Sequence, residues 1–180
     1  MTQFSDLSSA EVVAKVGETD QQYLASPSPA LAKDRAQLRL RLVELSNHKQ
    51  EQLYFLTEAV VLLETALMEA NALEDHIELS AALGETYLTY YDLTKEKRYL
   101  IITKQVVKPL SHHAHPLILI ILIRLSALEG HFALVRHWMT RLIGLPTIHP
   151  VQLDDLHNTK ELSQLAQEDW FKQLLKQKLH

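Results

Sequence analysis

Apolar residues recur at helical spacing over most of the chain. Between about residues 50 and 72 they form one stripe: Leu53, Leu56, Val60, Leu63 and Leu67. The opposite side of the same segment carries polar residues: Glu51, Glu58, Thr65 and Glu69. Apolar positions at i, i+3, i+4 and i+7 predict an amphipathic α-helix with one face in a core.

The same pattern predicts further helices on both sides of this one. They cover about residues 30–46, 75–91, 94–107, 116–129 and 132–143. Thr94 is expected to cap the helix that follows it, and Gly130 to supply a turn between two helices. The run Leu117–Ile123 is apolar on every side, so its helix is expected to be deeply buried or to form a dimer interface.

The two ends of the chain show shorter patterns. Ser8 or Ser9 is predicted to cap a helix that reaches Val16 and ends at Gly17. The Ser-Pro-Ser-Pro sequence at 26–29 predicts an extended linker, because proline disfavours helix in the residue before it. Short helices are predicted at about 151–156, 159–165 and 169–178.

Composition agrees with an all-α protein. The 180 residues include only 4 Gly and 6 Pro, which leaves few turns and therefore long elements. There is no cysteine, which excludes disulfides, thiolate metal sites and a cysteine nucleophile. The N-terminus lacks the basic start and apolar run of a secretory signal, and the longest apolar run is far below the roughly 20 residues of a membrane span. We therefore expect a cytoplasmic protein without membrane insertion.

Charge is strongly segregated along the sequence. No lysine or arginine lies between Lys49 and Lys95, while that stretch holds nine carboxylates: Glu51, Glu58, Glu64, Glu69, Glu74, Asp75, Glu78, Glu85 and Asp92. This pattern favours a surface for protein partners over a catalytic pocket. A pI near 6.2 argues against nucleic-acid binding. The arginines at 35, 39 and 41 are interpreted as a solvated helix face, with a phosphate contact as the alternative.

Three short stretches resemble the tetratricopeptide repeat family. The sequence Leu-Gly-Glu-Thr-Tyr at 83–87 matches that family's first-helix pattern Leu-Gly-x-x-Tyr, and Gly-His-Phe-Ala at 130–133 is similar to its inter-helix turn. Ala59, Leu63 and Ala66 resemble the second-helix pattern of small, large and small residues. Two positions depart from the pattern, since Ser80 and Leu119 stand where the family favours tryptophan.

The resemblance covers about residues 30–147 and implies a right-handed superhelical array of three antiparallel helix pairs. Residues 1–29 would then be an N-terminal extension, and residues 148–180 would form capping helices. Another kind of helical array is the alternative.

The resemblance also implies a function. First helices of this family line a concave groove that grips a peptide, and the matching positions here are Glu78, Glu85, Leu88, Thr89 and Arg124. The acidic positions among them would favour a protein partner with a basic or amphipathic segment. A non-catalytic adaptor or scaffold is the expected function, with no cofactor. A cytoplasmic chaperone for a secreted or membrane-bound client is the first alternative.

An enzyme with an unrecognised metal site is the second alternative. His112, His113 and His115 form the sharpest metal-like cluster, because imidazole binds zinc, copper and nickel. A solvated loop is the competing interpretation, since three ligands within four residues rarely converge on one ion. The chain has neither a Gly-x-Ser-x-Gly motif nor a glycine-rich phosphate loop, so no catalytic residue is predicted.

Overall fold

The computed structural model describes residues 4, 6–146, 148, 156 and 159–176, and these residues form helices with no strand. The α-helices are α1 Ser9–Ala25, α2 Pro29–Leu45, α3 Lys49–Glu69, α4 Leu73–Thr94, α5 Arg98–Val107, α6 Pro116–Leu128, α7 Phe132–Ile143 and α8 Asp169–Lys176. Two 3₁₀ helices, Lys108–His113 and Lys160–Leu165, lie between them. The predicted all-α class is confirmed. The helix predicted at 151–156 lies outside the described residues except for its last position.

The first helix begins where the sequence predicts and ends later. Ser8 and Glu11 form a reciprocal cap, in which the Ser8 N–H donates to the Glu11 carboxylate at 2.8 Å. The predicted end at Gly17 is wrong, because α1 continues to Ala25. Packing of α1 against α2 outweighs the low helix propensity of a single glycine.

The turn after α4 also differs from the prediction. Thr94 does not cap the next helix but is the last residue of α4, and its hydroxyl donates to the Tyr90 carbonyl at 2.8 Å. Lys95 then takes the left-handed conformation, with φ of 59°. A Thr side chain satisfies a carbonyl one turn earlier as readily as it caps a following helix, so sequence alone did not separate the two.

The chain divides into two compact units, residues 1–106 and 107–180. In the first unit α2 packs against α1, α3 and α4, and α3 packs against α4. One core cluster of this unit is built largely from small and branched residues of α2, α3 and α4: Ala32, Ala36, Val43, Leu56, Ala59, Leu63, Ala66, Leu79 and Leu83. The alanines of α2 and α3 permit close approach of these helices.

In the second unit α6 packs against α7 and against both 3₁₀ helices, and α7 packs against α8. The apolar side chains of α6 are buried on several sides of the helix: Ile118, Leu119, Ile121, Leu122, Ile123 and Leu125. This deep burial agrees with the prediction made from the uninterrupted apolar run of α6. The boundary between the two units falls within residues 30–147, the range over which the sequence resembles the tetratricopeptide repeat family.

Candidate functional site

The solvent-facing side of α3 carries three large apolar residues at intervals of seven. Tyr54, Val61 and Met68 are 59%, 56% and 89% exposed. Seven residues fall about 20° short of two full turns, so the three side chains share one face and form what we call the α3 stripe. The other side of α3 is the core face described above. The stripe was missed in the sequence, where this side was interpreted as polar, although its seven-residue repeat was visible.

Carboxylates frame the α3 stripe. At about 100° per residue, Glu51, Glu58 and Glu69 project along one flank and Glu64 along the other. Glu51, Glu64 and Glu69 are exposed, and Glu58 is half-buried. After Lys49 the helix has no basic residue. The α3 surface is therefore apolar along its centre and negative at its edges.

A cavity of about 390 Å³ opens beside the α3 stripe within the first unit. Its wall combines charged, polar and apolar side chains of α1, α2 and α3: Asp20, Arg35, Arg39, Tyr54, Thr57, Glu58, Val61 and Leu62. Two stripe residues, Tyr54 and Val61, thus belong to both features. The volume has room for a large side chain of a partner.

The charged groups of this cavity are held by one another. Arg39 is only 5% exposed, and its Nη1 and Nη2 donate to the two carboxylate oxygens of Asp20 at 3.0 and 2.7 Å. Arg35 Nε donates to Asp20 at 2.6 Å, and Arg39 Nε lies 3.4 Å from Glu58. Tyr54 completes the network by donating to Glu58 at 2.8 Å. Two cations and two anions leave the cavity without net charge.

This network fixes the ionisation of Asp20. Burial acts to raise the pKa of this carboxyl, but the hydrogen bonds and charges of Arg39 and Arg35 outweigh burial, and the pKa lies below its usual value. The expectation that the α2 arginines form a solvated face is wrong for Arg39, because this side chain is buried. Arg41 has a partner on its own helix, because its Nη1 donates to the Glu44 carboxylate at 2.8 Å.

The residues predicted from the groove pattern lie on two helices. Glu78, Glu85, Leu88 and Thr89 are on α4, and Arg124 is on α6. Glu78 forms an ion pair with Lys33 of α2. Leu88 is fully buried, so its side chain is not available at the surface. Glu85 and Thr89 are half-buried, and the Thr89 hydroxyl donates to the Glu85 carbonyl at 3.0 Å.

Arg124 is engaged inside the second unit. Its Nε and Nη2 both donate to Glu161 Oε1, at 3.0 and 2.7 Å. The Glu161 side chain is 8% exposed and belongs to the 3₁₀ helix Lys160–Leu165. Arg124 therefore ties this segment to α6.

The three histidines of the predicted metal cluster surround the start of α6. The rings of His112 and His113 lie 3.8 Å apart between centroids, and His112 Nδ1 is 2.8 Å from the Pro109 carbonyl. His115 caps α6, its Nδ1 accepting from the Leu117 N–H at 3.3 Å. Among the residues that the structure describes, no group of three or more His, Asp or Glu side chains is placed to hold a metal ion.

Within the described ranges, no helix combines the length and apolarity that crossing a bilayer requires. Comparison with protein-family models, with curated proteins and with solved structures finds no match to this chain. The described residues thus define an all-helical protein with an exposed apolar stripe, carboxylates along its edges and an adjoining cavity.

Proposed function

We propose that this chain is a non-catalytic protein-interaction module, an adaptor or scaffold that holds a segment of a partner protein. The observation that carries the proposal is the α3 stripe, on which Tyr54, Val61 and Met68 stay exposed in the folded chain. Large apolar side chains in a row on one helix mark a surface where another molecule binds. We also propose that the protein is cytoplasmic.

The stripe and its edges have separate roles in this proposal. Apolar area that becomes buried stabilises a complex by about 25 cal/mol per Å², and aromatic residues such as Tyr54 are frequent binding hot spots. The carboxylates at the edges orient an approaching basic segment and raise its association rate.

A tetratricopeptide-like arrangement of the helix pairs is also part of the proposal. The contacts among α2, α3 and α4 support it, because each repeat of such an array packs on the neighbouring repeat. The buried small residues Ala59 and Ala66 of α3 are consistent with such close packing.

The proposal is tested by capturing partners from a native extract with the full chain at low and high salt, and identifying them by mass spectrometry. A partner retained at low salt is then purified and titrated against the chain by calorimetry. We expect one dominant partner, saturable one-to-one binding and weaker affinity at high salt. If no purified candidate binds saturably, the interaction function is wrong.

A chaperone function for one client is the second candidate, and Met68 favours it. This side chain is 89% exposed, and methionine adapts to varied apolar partners because it is unbranched and flexible. A chaperone keeps an aggregation-prone client soluble at a stoichiometric ratio, whereas an adaptor binds a partner that is soluble alone. Light scattering of the purified partner with and without the chain separates the two.

A further inference from the structure

We infer that the α3 stripe binds a basic amphipathic helix, which lies along α3 and places one large apolar side chain in the adjoining cavity. The inference rests on the proposed function and names the surface and the chemistry of its partner. Tyr54 to Met68 spans about 21 Å along the helix axis, which matches roughly 15 residues, or four turns, of a partner helix.

The apolar contacts determine the conformation of the partner. Exposed apolar side chains repeat every seven residues on α3, which supplies one of the two positions per seven residues that form the seam between two helices packed side by side. An extended peptide alternates its side chains every two residues and matches this repeat poorly. A helix with an apolar face is therefore the complementary shape.

The edges determine the charge of the partner. Glu51 and Glu69 on one flank and Glu64 on the other give negative potential on both sides of the stripe, whereas the charge of Glu58 is paired with Arg39. Lysine or arginine at the margins of the partner's apolar face meets these carboxylates, and an acidic helix is repelled.

The cavity determines which side chain of the partner it can hold as an anchor. Its ions are already paired, with Asp20 on Arg35 and Arg39 and with Glu58 on Arg39. A charged anchor would disrupt these pairs, whereas an apolar one contacts Val61 and Leu62 within the volume of about 390 Å³. A leucine or aromatic side chain fits this chemistry.

A second copy of the chain is a weaker candidate for the same surface. Pairing of two α3 stripes would bring like-charged edges together, since α3 has no basic residue after Lys49. Helix α7 has Arg136 and Arg141 and no acidic residue, and it exposes Phe132 and Leu134, so it offers a complementary face. That contact joins two different surfaces and would extend into open chains unless the rotation closed a ring.

The test uses the full chain and two synthetic helical peptides of about 18 residues, a length that covers the stripe. Both have the same leucine face, and the other positions are lysine in one and glutamate in the other. Binding of each fluorescently labelled peptide is measured by anisotropy at low and high salt. The chain alone is examined by sedimentation velocity.

The variants are matched. Val61→Lys with Met68→Lys places two charges on the stripe. Val13→Lys with Leu24→Lys adds the same charge to two exposed apolar residues of α1, which are 58% and 82% exposed. All four positions are at the surface, and circular dichroism and melting temperature verify that both double variants stay folded.

We expect the leucine–lysine peptide to bind the parent chain and the α1 variant alike, and the stripe variant about tenfold or more weakly. The leucine–glutamate peptide should not bind. Equal binding to both double variants, or to both peptides, overturns the inference. Self-association of the parent that the stripe variant abolishes also overturns it, by showing that a second copy occupies the stripe. If a native partner still binds the stripe variant with parental affinity, the interaction function stands but uses another surface, and this inference fails.

Discussion

At the scale of single residues, Arg39 organises the contact of three helices. This side chain projects from α2, and its guanidinium meets Asp20 of α1 and Glu58 of α3. A buried cation is costly unless carboxylates surround it, so the pairing fixes how α1 and α3 sit on α2. Asp20 also takes a hydrogen bond from Arg35, which makes it the shared acceptor of two arginines.

Asp20→Asn is therefore expected to destabilise the fold. The change removes the nearer of the two carboxylates that pair with the buried Arg39 and leaves only the longer ion pair with Glu58, at a cost of about 2 kcal/mol. This is less than for a fully buried pair because the Asp20 side chain is 32% exposed. Chemical denaturation measures the loss. Glu18→Gln is the control from the same helix, since its exposed pair with Lys15 should contribute at most about 0.5 kcal/mol. Equal effects of the two changes would contradict the prediction.

Gly17→Ala is expected to stabilise the protein. Gly17 lies inside α1, is exposed, and has nothing within 4 Å of the position that a Cβ would take. Alanine restricts the unfolded chain and suits the helix, for a gain of about 0.5–1 kcal/mol. The melting temperature and the denaturation midpoint should both rise. Gly130→Ala should lower the melting temperature and the denaturation midpoint, because Gly130 has φ of +73°, which strains an alanine. A loss of stability in Gly17→Ala would show that α1 does not continue through this position.

At the scale of elements, the extent of α2, α3, α6 and α7 was predictable to within a few residues because each has an apolar face that repeats at helical spacing. The full length of α1 was not predictable, since its contacts with α2 come from residues distant in sequence. The α3 stripe was overlooked for a related reason. Its residues lie on the side of the helix that was interpreted as polar, and only the fold shows that Tyr54, Val61 and Met68 stay exposed there.

The predicted groove shows a similar limit. The pattern at 83–87 places Glu85 and Leu88 on one helix, but pattern matching does not reveal burial or ion pairing. Leu88 is fully buried, and Glu78 is paired with Lys33. A basic residue 45 positions away in sequence is not visible as a partner until the helices are packed.

Glu161→Gln should loosen the attachment of one element to another. The carboxylate of Glu161 receives two hydrogen bonds from Arg124 and is nearly buried, so a neutral amide weakens the attachment of the 3₁₀ helix Lys160–Leu165 to α6. Hydrogen exchange of residues 160–165 should accelerate about tenfold, while exchange in α2 and α3 stays at the parental rate. The exposed residue Glu168 provides the control, since Glu168→Gln should leave this segment unchanged. Unchanged exchange in Glu161→Gln would mean that apolar burial of Leu162 and Leu165 suffices to hold the segment.

At the scale of the whole molecule, the charge segregation in the sequence is partly neutralised by folding. Two carboxylates of the acidic stretch, Glu58 and Glu78, pair with Arg39 and Lys33 of the basic α2. Glu51 accepts a hydrogen bond from Ser46, and Glu64 accepts one from Tyr87. The stretch thus serves both internal structure and the exposed edges of the α3 stripe, which composition alone did not separate.

We expect a tyrosine cluster in the first unit to affect stability at alkaline pH. The rings of Tyr90 and Tyr99 stack at 4.7 Å between centroids, and Tyr87 lies 6.2 Å from Tyr99. Burial, followed by the hydrogen bond to Glu64 and its charge, raises the pKa of Tyr87 above its usual range. Burial also raises the pKa of Tyr90, although the hydrogen bond with Thr57 opposes it.

These raised pKa values determine where the free energy of unfolding falls. The unfolded chain releases a tyrosine proton near pH 10.0, whereas the folded chain holds the proton of Tyr87 to higher pH. Unfolding is therefore favoured increasingly above pH 10, and the contribution of Tyr87 is fully present below it. One such group steepens the decline by up to about 1.4 kcal/mol per pH unit.

Tyr87→Phe should make this alkaline decline shallower. The variant loses the hydrogen bond to Glu64, at a cost of about 1 kcal/mol at neutral pH, but has no phenol to ionise. Glu64→Gln keeps the buried phenol and removes the neighbouring charge, so its slope should lie between those of the parent and Tyr87→Phe. Urea denaturation at several pH values from 8 to about 11.5 gives the slopes, and tyrosinate absorbance follows ionisation in the folded state. Parallel curves for all three proteins would mean that Tyr87 titrates equally in the folded and unfolded chains, and would contradict its predicted contribution to the alkaline decline.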